Sequence, residues 1–133
     1  MSANKIVFVV DEEPLAGRNL VRALQRPDWS FRYFADPQEA LAAVDSRAPD
    51  LVIADGQLVG MNGVEFLGQV RRHDPSTRTI LVSNRDATPE ARRALRDGAI
   101  DALAAKPADE MLVGMVRQLL GESTEDDWFS AVG

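Results

Sequence analysis

The chain has 133 residues and a net charge of −6, with 45% hydrophobic and 27% charged residues; this suits one soluble domain and opposes polyanion binding. With no cysteine, disulfides, thiolate catalysis and cysteine-ligated metals are excluded. No stretch approaches a membrane span, and the N-terminal apolar run lacks a small-residue cleavage site, so a cytoplasmic location is expected.

Residues 6–10 ("IVFVV") form a continuous β-branched and aromatic run, the pattern of a strand buried on both faces. After "DEEP", the stretch "LAGRNLVRALQ" spaces Leu15, Leu20, Val21 and Leu24 as a helix does, with Pro14 at the first turn. Residues 31–35 ("FRYFA") predict a short strand, and "DPQEALAAVDSR" a helix capped by Asp36.

The alternation continues through the strand "DLVIA" and the helix "GVEFLGQVRR", whose apolar side is Val64, Phe66, Leu67 and Val70. The strand "TILVS" precedes the helix "TPEARRALRDG", capped by Thr88 and stopped by Gly98. "IDALAA" is a weak strand, and "ADEMLVGMVRQLLG" a last helix with a core stripe of Met111, Leu112, Met115, Val116, Leu119 and Leu120. Arg71, Arg72, Arg92, Arg93 and Arg96 read as solvated helix charges, and His73 as a surface or helix-end residue. One folded domain over residues 1–120 and an acidic tail or linker over 121–133 are expected.

Strands alternating with helices predict an α/β fold, a single parallel sheet covered on both faces. Right-handed crossovers bring the residue after every strand to one edge, where ligands of such sheets bind. The first strand delivers Asp11, Glu12 and Glu13, the third Asp55, the fourth Ser83 and Asn84, and the fifth Lys106. Crowded carboxylates call for a cation, and an all-oxygen set suits Mg²⁺. Asp55 then reads as a nucleophile for phosphoryl transfer, with Lys106 and the Ser83 hydroxyl stabilising phosphoryl oxygens. Taken singly, Asp11 or Glu13 could serve only as a helix cap, and "KP" as a plain turn.

The stretches "VFVVDEEP", "PDLVIADGQLVGMNG", "ILVSN" and "GAIDALAAKP" together resemble the receiver domain of two-component response regulators. The resemblance implies a doubly wound, flavodoxin-like five-stranded sheet of order 2-1-3-4-5. It further implies Asp55 as phosphoacceptor, Asp11 and Glu12 as the Mg²⁺-holding acidic pair, and the Gln57 carbonyl as a third protein ligand. Ser83 matches the switch hydroxyl and Lys106 the lysine after the fifth strand. The implied donor is a histidine kinase or histidine phosphotransfer protein, and the implied target an output domain or partner protein, without nucleic acid or membrane contact. Any catalysis is limited to the domain's own phosphorylation and dephosphorylation.

Several positions depart from the family pattern. Glu12 replaces an aspartate, Val59 a proline and Asn84 a small residue, and "DALAA" lacks the usual fifth-strand aromatic. These departures leave open a pseudo-receiver that binds proteins without phosphorylation. An enzyme on a similar sheet is disfavoured, because Gln57 stands where aspartyl-phosphate phosphatases carry a second aspartate. Dinucleotide binding is disfavoured because "DEEPLAG" is no glycine-rich phosphate loop.

Overall fold

The computed structural model describes residues 4–83, 88–105 and 110–121. In chain order the elements are β1 (Lys5–Val10), α1 (Pro14–Leu24), β2 (Trp29–Phe34), α2 (Pro37–Ser46), β3 (Leu51–Asp55), β4 (Gln57–Leu58) and β5 (Met61–Asn62). They continue with α3 (Gly63–His73), β6 (Arg78–Ser83), α4 (Pro89–Arg96), β7 (Ala102–Ala105) and α5 (Glu110–Leu119). The five-stranded sheet has the order β2-β1-β3-β6-β7 with every pairing parallel, which is the expected 2-1-3-4-5 arrangement once the small hairpin is set aside.

The unbroken apolar runs bury both faces because successive side chains point opposite ways. Phe8, Val10, Val52, Ala54 and Leu81 pack with Leu41, Phe66, Leu67, Val70, Ala91 and Ala94, so α2, α3 and α4 cover one face. Val7, Val9, Leu51, Ile53, Ile80 and Val82 pack with Leu24, Leu112 and Val116, so α1 and α5 cover the other. Full burial of large side chains such as Phe8 and Phe66 contributes roughly 1.5–3 kcal/mol each.

Local signals set the helix ends. Asp36 accepts a hydrogen bond from the Gln38 N–H at 2.9 Å, and Thr88 Oγ1 one from the Ala91 N–H at 3.1 Å. Pro14, Pro37 and Pro89 all stand at helix starts.

Four features differ from the sequence expectation. β2 begins at Trp29, two residues early, because Trp29, Phe31 and Tyr33 alternate on one side of this edge strand and join the α1/α5 core. The loop after β3 contains the β4–β5 hairpin, whose turn residue Gly60 has φ 82°. Met111 and Leu15 are 68% and 72% exposed; the buried line is Leu112 and Val116 in α5 and Leu120 just after it, at four-residue intervals. Arg71 is not simply solvated, since its Nη1 donates to Asp101 Oδ2 at 3.2 Å.

Candidate functional site

Strand register decides which polar residues meet. Val10 pairs with Ala54, Asp55 with Val82, and Ser83 with Ala105. Asp11, Asp55 and Ser83 therefore stand at the carboxyl ends of three neighbouring strands, β1, β3 and β6. The Gly56 N–H donates to the Val82 carbonyl at 3.0 Å, carrying the β3–β6 pairing one step past Asp55.

Asp11 is buried at 4% exposure, whereas Asp55 and Ser83 are half-buried. Its N–H donates to the Phe34 carbonyl at 3.1 Å, and its Oδ1 accepts from the Glu13 N–H at 2.9 Å. That second bond closes an Asx turn leading into α1, so Asp11 does structural work through Oδ1. Asp55 Oδ1 accepts a long bond, 3.4 Å, from the Gln57 N–H at the start of the hairpin. Glu12 and Gln57 are exposed. Lys106 and Asn84 lie outside the described residues; Lys106 follows Ala105, the β7 residue paired with Ser83.

Two glycines shape this edge through close approach. The Gly63 N–H donates to the Gly56 carbonyl at 2.8 Å, and a Cβ at Gly63 would stand 2.3 Å from the Asp55 carbonyl oxygen. The hairpin thus turns the chain back so that α3 starts against the phosphoacceptor candidate, a contact that needs a missing side chain. Asn62 caps that start by accepting from the Glu65 N–H at 2.8 Å. At Gly17 a Cβ would fall 2.2 Å from Tyr33 Cε1, because the Tyr33 ring crosses α1 at that point.

Sequence reading missed Tyr33. Its hydroxyl donates to the main-chain carbonyl of Asp11. Burial pushes the hydroxyl above its ordinary pKa, the Asp11 charge adds to this, and Arg18 partly offsets it. The phenol is therefore a donor at neutral pH. The period-two spacing of Trp29, Phe31 and Tyr33 was the available signal that this tyrosine faces α1.

Among the described residues, no three aspartate, glutamate or histidine side chains are gathered as a ready-made metal cluster. The edge instead offers Asp11 and Asp55 on adjacent strands, with Glu12 and Gln57 exposed beside them. Mg²⁺ usually keeps several waters and takes only one or two carboxylates besides phosphate oxygens, so this all-oxygen set fits it. No helix among the described residues is long and apolar enough to cross a membrane.

The transcriptional regulatory protein TrcR of Mycobacterium tuberculosis is 36% identical over 119 residues, a match covering 89% of this chain and 46% of that protein. The C4-dicarboxylate transport transcriptional regulatory protein DctD of Rhizobium meliloti is 30% identical over 118 residues, covering 89% of this chain and 26% of that one. The chain thus spans less than half of either relative. In structure it is similar to the signal receiver domain of an HD domain-containing protein from Pseudomonas fluorescens Pf-5, with a TM-score of 0.82 and 26% identity over 91% of this chain and 90% of that one. The family model described as the response regulator receiver domain matches residues 7–117. With that match and the parallel sheet that carries it, the chain belongs to the receiver-domain family of two-component response regulators.

Proposed function

We propose that this receiver domain accepts a phosphoryl group on Asp55 from a phosphohistidine donor and signals through the resulting surface change. The observation that carries this reading is the arrival of Asp11, Asp55 and Ser83 at the ends of three adjacent parallel strands. A carboxylate oxygen of Asp55 attacks phosphorus, the N–P bond of the donor breaks, and the imidazole leaves with the bonding electron pair. The product is an acyl phosphate, which water hydrolyses to reset the domain.

The transition state is loose, so the protein's contribution is to position groups around the equatorial oxygens. Ser83 would donate its hydroxyl to one of them, and Lys106 would pair with another. Asp11, Glu12, Asp55 and the Gln57 carbonyl would hold Mg²⁺, directly or through water. When bound, the ion supplies neutralising charge for the phosphoryl oxygens. The donor is a histidine kinase or histidine phosphotransfer protein. The signal goes to an output domain or partner protein in the cytoplasm, and the net charge of −6 opposes direct nucleic acid contact by this domain.

One observation favours a second reading, a pseudo-receiver that binds partners without phosphorylation. β7 carries only Ala102, Leu103, Ala104 and Ala105, so it has no bulky rotor to relay a change at Ser83. Mass spectrometry after incubation with acetyl phosphate and Mg²⁺ decides between the two. Wild type should gain one phosphoryl group and Asp55→Asn none. Equal labelling of both would refute the acceptor assignment, and no labelling of either would favour the pseudo-receiver.

A further inference from the structure

The acidic turn after β1 is gripped by β2 on both sides of one residue. The Asp11 N–H donates to the Phe34 carbonyl at 3.1 Å, and the Asp11 carbonyl accepts from the Tyr33 hydroxyl. Regular β1–β2 pairing ends at Val10 and Phe34, so the Tyr33 side chain reaches one residue past the sheet. The Asp11 carbonyl belongs to the peptide joining Asp11 to Glu12. Holding that peptide plane restrains the backbone torsions from which the Asp11 and Glu12 side chains depart, while the Asp11 carboxylate is itself held by the Glu13 N–H.

The tyrosine reaches this carbonyl across α1. Its ring passes over Gly17, where any Cβ would overlap Cε1 and Cδ1 at 2.2 and 2.5 Å. Gly17 and Tyr33 therefore act as one unit: the glycine opens the passage and the hydroxyl uses it. The Tyr33 hydroxyl is engaged by the Asp11 main-chain carbonyl.

We infer that Tyr33 is a positioning residue for the metal-binding carboxylates, holding the Asp11–Glu12 peptide in the orientation that Mg²⁺ requires. This inference rests on the phosphoacceptor reading above. Residues that orient metal ligands change metal affinity by about 10- to 100-fold when altered.

The test is calorimetric titration of Mg²⁺ into the full chain, beside acetyl phosphate labelling rates measured across Mg²⁺ concentrations. Tyr33→Phe keeps the ring over Gly17 and removes only the hydroxyl. It should weaken Mg²⁺ binding about 10-fold or more, raise the Mg²⁺ concentration for half-maximal labelling by the same factor, and leave the rate at saturating Mg²⁺ within about twofold. Gly17→Ala should reproduce the weakened binding in the presence of the hydroxyl and add nothing to it in the Tyr33→Phe background. Unchanged Mg²⁺ affinity in Tyr33→Phe would overturn the inference, as would a lower melting temperature and saturating rate without any shift in Mg²⁺ dependence. Failure of wild type to bind Mg²⁺ would overturn the phosphoacceptor reading itself, and the inference with it.

Discussion

The two edges of the sheet treat carboxylates in opposite ways. At the amino-terminal edge they are saturated. Asp101 accepts from the Thr79 N–H at 2.9 Å and from Arg71 Nη1 at 3.2 Å, and Arg78 Nη1 lies 3.7 Å away. Asp50 accepts from the Ile6 N–H at 2.8 Å, and Asp74 accepts from Ser76 and Thr77. At the carboxyl edge, Asp11, Glu12 and Glu13 follow one strand and Asp55 ends its neighbour, with main-chain N–H groups binding Asp11 and Asp55 at 2.9 and 3.4 Å. Like charges on adjacent strands destabilise the folded chain unless a cation joins them. The first edge ties its carboxylates into structural pairs; the second, on the function proposed above, keeps them for a ligand.

The contrast can be broken most completely at Asp55. Asp55→Asn should abolish labelling while leaving thermal stability unchanged or slightly raised; a large loss of stability would mean the carboxylate is structural. Next in size is Gly63→Ala, whose Cβ would meet the Asp55 carbonyl oxygen at 2.3 Å. Forcing that contact should cost about 1–3 kcal/mol in chemical denaturation and slow labelling as well, because the strand end must shift.

Asp101→Ala sharpens the comparison from the other edge. It leaves the Thr79 N–H and Arg71 without their acceptor, at a cost of about 1–3 kcal/mol, yet labelling of Asp55 should continue at the wild-type rate. Asp11→Asn should do the reverse. An asparagine keeps the Oδ1 acceptor for the Glu13 N–H, so melting in a chelator should stay close to wild type while calorimetry shows weakened Mg²⁺ binding.

The smallest effect is at Asp74. Hydrogen bonds from the Ser76 side chain and then the Ser76 N–H hold its carboxyl below the ordinary carboxylate range. A folded pKa lowered in this way contributes stability that is present above the unfolded pKa of about 3.9 and is lost as pH falls through the folded value. Asp74→Asn should flatten that part of the acid denaturation curve; an unaltered curve would show that Asp74 is not linked to it.

Much of this arrangement was legible from residue order. Short uninterrupted runs such as residues 51–54, bounded by turn residues, fit strands buried on both faces, and the capping residues Asp36 and Thr88 mark helix starts through local hydrogen bonds. The residues assigned to the site follow from the same logic, because parallel crossovers bring every strand end to one edge. The β4–β5 hairpin was not legible, since two-residue strands leave almost no periodic signal. Arg71 read as solvated because its partner, Asp101, lies 30 residues away in the bend before β7.

By itself, the order of apolar runs, caps and acidic strand ends determined the layered α/β sheet and the set of polar groups at its edge, because those depend on short-range periodicity and chain connectivity. Only the tertiary structure decided that Tyr33 passes over Gly17 to the Asp11 carbonyl, that Gly63 closes on Asp55, and that Asp101 gathers Arg71, Arg78 and Thr79. Those contacts join residues far apart in the chain, and their specificity comes from which side chain is absent or within hydrogen-bonding reach once the layers have packed.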